Sequence, residues 1–493
     1  MTYTTAVPAA CQAILTLEPT SVFKAFAQIS AIPRCSGDEQ AISDFLVGFA
    51  RHLGLFVHQD KALNVMIKKP GTPGYESAPT VILQGHMDMV CEKTDTSSHN
   101  FETDPIELRV DGDTLTAHET SLGADNGIAV AYAMAILASK DIPHPPLEVV
   151  ITTNEEVGLV GATQLDTTPL QGKILINLDA EDEGRFFVSC AGGTRCSLKL
   201  PIDHRKADDG LITVTLTVDG LKGGHSGMDI NQGLGNANKL MGRALEALHG
   251  AGAQLVEVSG GGKANAIPRS AWATLLVAQE RLNEAKDCIK KLSKTMTSEL
   301  TASDPGLSVT LVESIDASST ALPQETFQRI VDLYRIIPSG VQTMSQSIDG
   351  LVESSLNLGV VKQESDTLVF HCAVRSSVES LKHEICGRLE SLARCMGAEF
   401  VTGSSYPAWE YQENSAIRKI MTETYTRMYG KAPEICAIHA GLECGILGEA
   451  LKGLDMIALG PDMRHVHSPD ETLSIGSVKR TWEFLCEVLK NVQ

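Results

Sequence analysis

Residues 147–156, which read Leu-Glu-Val-Val-Ile-Thr-Thr-Asn-Glu-Glu, decide the fold of this chain. Their apolar and β-branched first half predicts a buried strand. The stretch then stops on two adjacent carboxylates, Glu155 and Glu156. In open α/β sheets, ligands bind beyond the carboxyl ends of the strands. We therefore expect a strand of a central sheet whose end carries acidic site residues.

Three other apolar stretches lead in the same way to an acidic residue or a histidine. They are residues 81–84 before His86 and Asp88, residues 174–178 before Asp179, and residues 456–460 before His465 and His467. Oxygen and nitrogen donors of this kind are the protein ligands of divalent metal ions. Four such strand ends at one edge of a sheet predict a metal site there.

Length and composition limit the class of protein. A chain of 493 residues is too long for one hydrophobic core, so we expect two or three domains. Its 41 basic and 61 acidic residues give a net charge of −20, which argues against nucleic acid or an anionic membrane as partner. Residues 1–17 lack the pattern of a secretory signal, and no apolar run is long enough to span a bilayer. The 12 scattered cysteines, without a CxxC pair, predict reduced thiols in a cytoplasmic protein.

The organisation of the chain changes twice. Strand and helix patterns alternate at both ends, whereas the middle carries amphipathic strands, such as residues 212–218, and two-sided helices. We predict an α/β fold in which residues 1–191 and 404–493 form a domain with a central, mainly parallel sheet flanked by helices. Residues 192–403 would be an inserted α+β domain. Within the first domain, residues 57–68 alternate as one strand.

His86, Asp88 and Asp125 are candidate site residues. Residues two apart in a strand point the same way, so His86 and Asp88 can face one site. A ligating histidine usually gives its other ring nitrogen to a carboxylate, a role that Asp88 could take; the alternative is a polar turn. Asp125 lies between two glycines at the start of a predicted helix. It could cap that helix or bridge two metal ions through its two oxygens.

The two glutamates cannot share one role, because successive side chains on an extended segment diverge. One could ligate a metal while the other reaches a metal-bound water; the alternative is a pair of solvated acids at a helix start. Asp179 is the member of its acidic run that we expect to point into the cleft.

Spacing does not choose between His465 and His467. We prefer His467, because residues 468–471 resemble the cap and first turn of the next helix.

Together these motifs resemble the co-catalytic zinc peptidases of the M20 metallopeptidase family, and within it the aminoacyl-histidine (Xaa-His) dipeptidases. The resemblance covers nearly the full chain, insertion included. It rests on motifs that occur in order at residues 85–90 (GHMDMV), 122–127 (LGADNG), 153–156 (TNEE), 190–193 (CAGG), 222–227 (KGGHSG), 265–269 (NAIPR), 439–445 (HAGLECG) and 467–471 (HSPDE).

The resemblance implies a role for each residue of the metal site. Asp125 would be the bridging ligand of two Zn²⁺ ions. His86 and Asp179 would bind one ion, and Glu156 and His467 the other. Glu155 would be the general base and Asp88 the orienting carboxylate. Co²⁺ or Mn²⁺ would suit the same oxygen and nitrogen donors. The inserted domain would be a lid that carries the substrate-binding residues His225, Asn265 and Arg375. Gly441, outside the inserted domain, would also bind substrate. Ordinary turn and strand polarity is the alternative for these lid residues.

The implied function is a cytoplasmic metallo-dipeptidase that hydrolyses Xaa-His dipeptides such as carnosine. Its partner would be a small dipeptide, with no nucleic acid and no membrane, and the family resemblance allows a homodimer. Another M20 activity is the first alternative: a broad dipeptidase, a tripeptidase or an aminoacylase. A non-catalytic metal-binding protein on the same fold is the second.

Overall fold

The structure of this chain is a computed structural model that describes residues 6–314 and 318–493. Its contacts divide the chain into two compact units. The first unit consists of Met1–Ser189, Tyr411–Ala437 and Leu442–Gln493, and the second of Cys190–Glu410 and Ile438–Gly441. The predicted boundaries near residues 191 and 403, and the role of the inserted part as a lid, stay predictions.

The strands are numbered in chain order. They are β1 Phe56–Gln59, β2 Val65–Lys69, β3 Val81–His86, β4 Leu108–Asp111, β5 Thr114–Ala117, β6 Leu147–Thr152, β7 Ile174–Asn177, β8 Arg185–Cys190, β9 Gly192–Pro201, β10 Arg205–Lys206, β11 Leu211–Asp219, β12 Gly224–His225, β13 Gln254–Gly260, β14 Ala266–Ile267, β15 Ala271–Ala278, β16 Ser308–Glu313, β17 Thr320–Ala321, β18 Gly340–Met344, β19 Val352–Glu364, β20 Thr367–Ser376, β21 Glu399–Tyr406, β22 Glu434–Ile438, β23 Asp455–Ala458, β24 Met463–Arg464 and β25 Thr472–Ser474.

The α-helices follow the same order. They are α1 Thr20–Ile29, α2 Gln40–His52, α3 Ala124–Ala138, α4 Val160–Thr163, α5 Ala237–Gly250, α6 Leu282–Glu299, α7 Gln324–Ile336, α8 Glu379–Met396, α9 Ala416–Tyr429, α10 Glu443–Ala450 and α11 Ile475–Asn491. Among the described residues, none of these helices combines the length and the apolar character needed to cross a membrane.

The first unit is built on an eight-stranded sheet with the order β1-β2-β6-β3-β7-β23-β8-β22. Its four central strands, β6, β3, β7 and β23, run parallel. The pairs β1–β2, β2–β6 and β23–β8 are antiparallel. Both β3 and β6 are buried along their whole length, as apolar strands covered on both faces should be. The predicted α/β fold with a central, mainly parallel sheet is confirmed.

Helix α3 approaches the end of β3 closely because Gly85 has no side chain. A Cβ atom at Gly85 would lie 2.6 Å from the Cβ of Ala129 on α3. Nearly every residue of α3 is buried, so the helix is apolar on almost all sides. This packing fixes the start of α3, which carries Asp125, beside the strand that carries His86.

Residues 57–68 form a hairpin, so the prediction of one continuous strand is wrong. Strand β1 ends at Gln59 and β2 begins at Val65. Between them, the Asp60 carboxylate accepts the backbone N–H of Ala62 at 2.9 Å and that of Asn64 at 3.0 Å. Such local side-chain hydrogen bonds favour a turn over a strand. The alternating pattern continues across the turn, so it gave no sign of the turn.

The second unit contains a nine-stranded sheet with the order β16-β11-β15-β13-β19-β20-β9-β21, in which β18 also pairs with β19. Its pairings are antiparallel. Helices α5, α6, α7 and α8 pack against this sheet through one hydrophobic cluster, to which they contribute Leu245, Ile289, Phe327 and Leu389. The predicted α+β character of this part is confirmed.

One pair of cysteines departs from the predicted reduced state. Cys35 and Cys91 form a disulfide, with their Cα atoms 5.6 Å apart and a sequence separation of 56. Sequence spacing gave no sign of this pairing, because the fold alone brings the two segments together. The prediction of reduced thiols is therefore wrong for this pair, whereas the other described cysteines form no disulfide.

Candidate metal centre

The carboxyl ends of the central strands bring the predicted site residues together. His86 is the last residue of β3, and β3 lies between β6 and β7 in the sheet. Glu156 follows the end of β6, and Asp179 follows the end of β7. His467 comes from the segment between β24 and β25. The sheet therefore gathers residues that are far apart in sequence at one edge.

Asp125 is the centre of this cluster, because each of its oxygens faces a different imidazole. Its Oδ1 lies 3.2 Å from Nε2 of His86, and its Oδ2 lies 3.0 Å from Nε2 of His467. Nε2 of His86 also lies 3.5 Å from Oδ1 of Asp179. Nε2 of His467 lies 3.0 Å from Oε1 of Glu156. The result is two donor sets that share one carboxylate.

The donor atoms fit the binding of divalent cations. One ligand atom from each of His86, Asp125 and Glu156 lies within 4.8 Å of the other two. Carboxylate oxygens and imidazole nitrogens at this spacing are the ligands that zinc, cobalt and manganese share. The cluster also holds more carboxylates than imidazoles, and buried charge is costly without an opposite charge.

Electrostatics at the cluster favour positive charge. Hydrogen bonds to Asp125 and Glu156 raise the pKa of His467 to about 11. Burial alone would lower the pKa of His86, but the nearby carboxylates of Asp179 and Asp125 outweigh it and raise that pKa well above its usual value. Burial also raises the pKa of Asp179 to about 7. A group of carboxylates that stabilises cationic imidazoles in this way meets the electrostatic condition for holding a metal cation.

Asp88 connects the imidazole of His86 to the two glutamates. Its Oδ1 lies 3.3 Å from Nδ1 of His86, on the side of the ring opposite Asp125. The same carboxylate accepts the backbone N–H of Glu155 at 3.1 Å and that of Glu156 at 3.3 Å. Ser36 donates to its Oδ2 at 2.7 Å. Asp88 thus fixes the ring of His86 and the main chain of Glu155 and Glu156.

Glu155 lies in the same cluster but in a different environment from Glu156. Burial raises the pKa of Glu155 well above its usual value, and the carboxylates of Asp179 and Glu443 add to this effect. A carboxylate with a raised pKa binds a proton more strongly than an ordinary one, which suits a proton acceptor. The divergence of the two neighbours leaves Glu156 to contact His467.

Asn126, next to Asp125, ties the start of α3 to two strands. Its side-chain oxygen accepts the backbone N–H of His86 at 3.2 Å, and its amide group donates to the carbonyl of Leu178 at 2.9 Å. These bonds place Asp125 between the strand end that carries His86 and the one that carries Asp179.

Sequence reasoning assigned no role to Glu443, which is fully buried at the start of α10. Its carboxylate accepts hydrogen bonds from Gln84 and from Thr152, the latter at 2.7 Å. Gln84 in turn accepts from Asn177 at 2.6 Å, and Asn177 accepts the backbone N–H of Asp179 at 3.2 Å. The only sequence signal was a glutamate within the motif at residues 439–445.

Glu471 also differs from expectation. The segment after His467 is not the start of a helix, because β25 intervenes and α11 begins at Ile475. The prediction of a helix cap at residues 468–471 is therefore wrong. Glu471 is 2% exposed, and its carboxylate accepts backbone N–H groups next to Asp125.

The second unit holds the residues that the family resemblance assigned to substrate. His225 pairs with Ala266 between β12 and β14, and the carbonyl of Asn265 accepts the backbone N–H of Ser226 at 2.9 Å. These contacts bring His225 and Asn265 side by side.

Arg375 and Gly441 meet through Tyr406. Arg375 is 9% exposed and donates through Nη1 to the hydroxyl of Tyr406 at 2.8 Å. A Cβ atom at Gly441 would lie 2.7 Å from Cε2 of the same tyrosine, so only glycine allows this approach. Nε of Arg375 has no hydrogen-bond partner among the described residues.

Hydrogen bonds define the state of the His225 ring. Its Nδ1 accepts the backbone N–H groups of Gly227 at 3.3 Å and Met228 at 3.1 Å. Burial and the charge of Arg375 lower the pKa of His225, which favours the neutral ring. Because Nδ1 is an acceptor, the proton of the neutral ring is on Nε2. His225 therefore presents an N–H donor.

His439 was not assigned a role from sequence. Its burial makes the stability of the fold sensitive to acid. It is 6% exposed, and its Nε2 lies 2.7 Å from the hydroxyl of Ser355. Burial and the charge of Arg375 lower its pKa to about 3. In the unfolded chain this histidine has a pKa of about 6.5. The unfolded chain therefore takes up the proton first as pH falls. This group therefore destabilises the fold progressively between about pH 6.5 and pH 3.

We expect His439→Gln to reduce this acid sensitivity. The difference in free energy of unfolding between pH 7 and pH 5 should shrink by about 1–2 kcal/mol relative to wild type. Urea unfolding at both pH values measures it. His383→Gln, at a histidine whose side chain is 74% exposed, is the matched control and should behave as wild type. An equal pH dependence in wild type and His439→Gln would contradict the assignment.

Two overlapping acid–imidazole donor sets at the carboxyl edge of a mainly parallel sheet are the arrangement of a metal-dependent hydrolase. Comparison with known proteins narrows this class. A family model described as Peptidase family M20/M25/M40 matches residues 82–491, so the chain belongs to this peptidase family. The predicted family and the predicted enzyme class, a peptide hydrolase, are confirmed.

Individual relatives match over nearly the whole chain. A cytosol non-specific dipeptidase of Escherichia coli (strain K12) is 39% identical over 477 residues, which are 97% of this chain and 98% of that protein. The crystal structure of an aminoacylhistidine dipeptidase from Vibrio alginolyticus has a TM-score of 0.91 and 38% identity, covering 97% of this chain and 98% of that one. A tripeptidase from Staphylococcus aureus, with a TM-score of 0.57, 16% identity and coverage of 97% and 99%, shares the fold.

Proposed function

We propose that this chain is a dipeptidase that uses two divalent cations held by the cluster around Asp125. The observation that carries the proposal is the position of Asp125, whose two oxygens each face a different imidazole. Each imidazole also meets a second carboxylate, that of Asp179 or Glu156. One shared carboxylate between two such sets matches the two-metal sites of hydrolases.

The residues would divide between the two cations as the family resemblance implies. Asp125 would bridge them, His86 and Asp179 would hold one, and Glu156 and His467 the other. We propose Zn²⁺ as the resident metal, and the donors also suit Co²⁺ or Mn²⁺. When bound, such a pair acidifies water and polarises the carbonyl of the peptide bond.

Glu155 would act as the general base. Its buried carboxylate, with a raised pKa, would accept the proton of the attacking water and return it to the leaving amine. Asp88 would hold Glu155 in place through the backbone N–H bond and would orient His86 through Nδ1. Glu155 would thus transfer the proton, and Asp88 would orient the groups around it.

The second unit would supply the substrate-binding groups. The Nε2–H of His225 is a suitable donor to the carbonyl oxygen of the scissile bond, where negative charge develops. The guanidinium of Arg375 suits the C-terminal carboxylate of a dipeptide. Asn265 and Gly441 would contribute further polar contacts. We propose these four roles from the chemistry of the groups and from the family resemblance.

We propose Xaa-His dipeptides, carnosine among them, as preferred substrates in the cytoplasm. The relative that is an aminoacylhistidine dipeptidase supports the preference for histidine. The relative that is a cytosol non-specific dipeptidase supports the location. A broad dipeptidase is therefore the main alternative. The predicted homodimer stays a prediction.

A substrate panel on enzyme of defined metal content tests this function. We expect hydrolysis of carnosine and of Ala-His, with slower hydrolysis of dipeptides that lack histidine and none of a tripeptide or an N-acetyl amino acid. A chelator should abolish the activity, and added Zn²⁺ should restore it. Equal rates across all dipeptides would favour the broad dipeptidase. Hydrolysis of the tripeptide or the N-acetyl amino acid alone would contradict the proposal.

A further inference from the structure

The carboxylate of Glu471 accepts four consecutive backbone N–H groups. Its Oε2 accepts those of Leu122 at 2.8 Å and Gly123 at 2.9 Å. Its Oε1 accepts those of Ala124 at 2.8 Å and Asp125 at 3.3 Å. These N–H groups lie in the segment that leads into α3, where Asp125 and Asn126 have non-helical backbone angles. A residue nearly 350 positions away in sequence therefore fixes the main chain that carries Asp125.

Arg34 fixes the same loop from the carbonyl side. It is 2% exposed, and its Nη2 donates to the carbonyl of Gly123 at 2.5 Å. Its Nη1 donates to the carbonyl of Met87 at 3.0 Å, within the segment that carries His86 and Asp88. Arg34 thus joins the loop before Asp125 to the end of β3.

Glycine at two positions makes room for this guanidinium. A Cβ atom at Gly123 would lie 2.5 Å from Nη2 of Arg34, and one at Gly127 would lie 2.6 Å from it. Gly123 also has a φ of 68°, in the left-handed region that favours glycine. The glycines around Asp125 are thus explained by the buried arginine and by the turn of the loop.

We propose that Glu471 is the positioning residue of Asp125. This inference rests on the metal centre proposed above. Glu471 accepts the four N–H groups of the loop and Arg34 donates to one of its carbonyls, so the main chain cannot rotate without breaking buried hydrogen bonds. The direction of the Asp125 carboxylate is set before any cation arrives. Partners that orient a ligand in this way commonly change metal affinity by about 10–100-fold when they are removed.

A residue that only caps a helix would have a different effect. Loss of a residue that serves stability alone lowers the stability of the protein and leaves the metal affinity of the folded protein unchanged. Loss of a positioning residue weakens the metal site even where the protein stays folded. Metal affinity, measured apart from stability and turnover, therefore separates the two roles.

Glu471→Gln is the informative variant. Its one carbonyl oxygen could serve only part of the four N–H groups, and its NH₂ group would face the others donor to donor. We expect two cations to bind about 10–100-fold more weakly than in wild type. Competition with a chromogenic chelator measures the affinity for Zn²⁺, and the visible spectrum of the Co²⁺ form reports ligand geometry. Asp470→Asn, which removes the same charge from the exposed neighbouring residue, should match wild type.

The results separate this inference from the proposed metal centre. Wild-type protein that binds no cation would overturn the metal centre itself. Wild-type binding of two cations, with the same affinity and Co²⁺ spectrum in Glu471→Gln, would overturn the role of Glu471 alone.

A measurement on unmodified protein covers the case in which Glu471→Gln does not fold. Amide hydrogen exchange of residues 122–125 in metal-free wild type should be slow, because Glu471 already holds these N–H groups. Fast exchange that slows only after Zn²⁺ is added would show that the metal orders the loop, and would overturn the proposal.

Discussion

Replacement of Glu155 by glutamine is expected to lower kcat by about 10²–10⁴-fold, the usual contribution of a general base. Glutamine keeps the shape of the side chain but cannot accept a proton from water. The N–H of residue 155 would still donate to Asp88, so the main chain should stay in place. Metal content should therefore stay at the wild-type level, and KM should change little, because the lost interaction acts in the transition state. Steady-state kinetics on carnosine, with metal analysis of the same samples, measures both.

Glu102→Gln is the matched control for this prediction. Glu102 is exposed and lies in the first unit, as Glu155 does. Its exchange for glutamine also removes one carboxylate. Its kcat should equal that of wild type. A Glu155→Gln enzyme with more than about a tenth of wild-type kcat would remove Glu155 from the role of base. Loss of metal from that variant would instead make Glu155 a ligand.

The residues that the sequence identified share a local signal. Each lies at the end of an apolar strand or at the start of an apolar helix, as His86, Glu156 and Asp125 do. Strand patterns, together with the rule that ligands bind at the carboxyl ends of parallel strands, are enough to bring such residues to one edge. The preference for His467 over His465 rested partly on a helix start that the structure does not contain. The contact of His467 with Asp125 depends instead on the turn before β25.

The features that sequence reasoning missed are contacts between distant segments. Glu471 reaches Asp125, Glu443 reaches Gln84, and Cys35 reaches Cys91, and in each case the partner is set by the tertiary fold. A glutamate after a turn or at a helix start carries no sign of a buried partner. Periodicity reports which face of an element is buried but not which polar group lies on the other side.

The buried carboxylates of this cluster fall into two groups by their contacts. Asp125, Asp179 and Glu156 face the Nε2 atoms of the imidazoles. Asp88 and Glu471 accept backbone N–H groups, and Asp88 also faces Nδ1 of His86. In the proposed metal centre, the first group would supply charge to the cations, and the second would hold the first in place without competing for them. A metal site described by its ligands alone would leave out the second group.

Asp125→Asn is expected to disable the site more completely than loss of any other single ligand. An asparagine offers one neutral oxygen where Asp125 offers two charged ones, so it cannot serve both donor sets. We expect the bound metal to fall from two ions per chain to fewer than one, and turnover to fall by more than about 100-fold. Asp179→Asn is the comparison, because Asp179 contacts only His86 of the two imidazoles and its loss should weaken one ion while the other stays. Metal analysis after dialysis against a weak chelator gives both stoichiometries. Two tightly held ions in Asp125→Asn would show that this carboxylate does not bridge them, and equal losses in the two variants would show that the donor sets do not divide at Asp125.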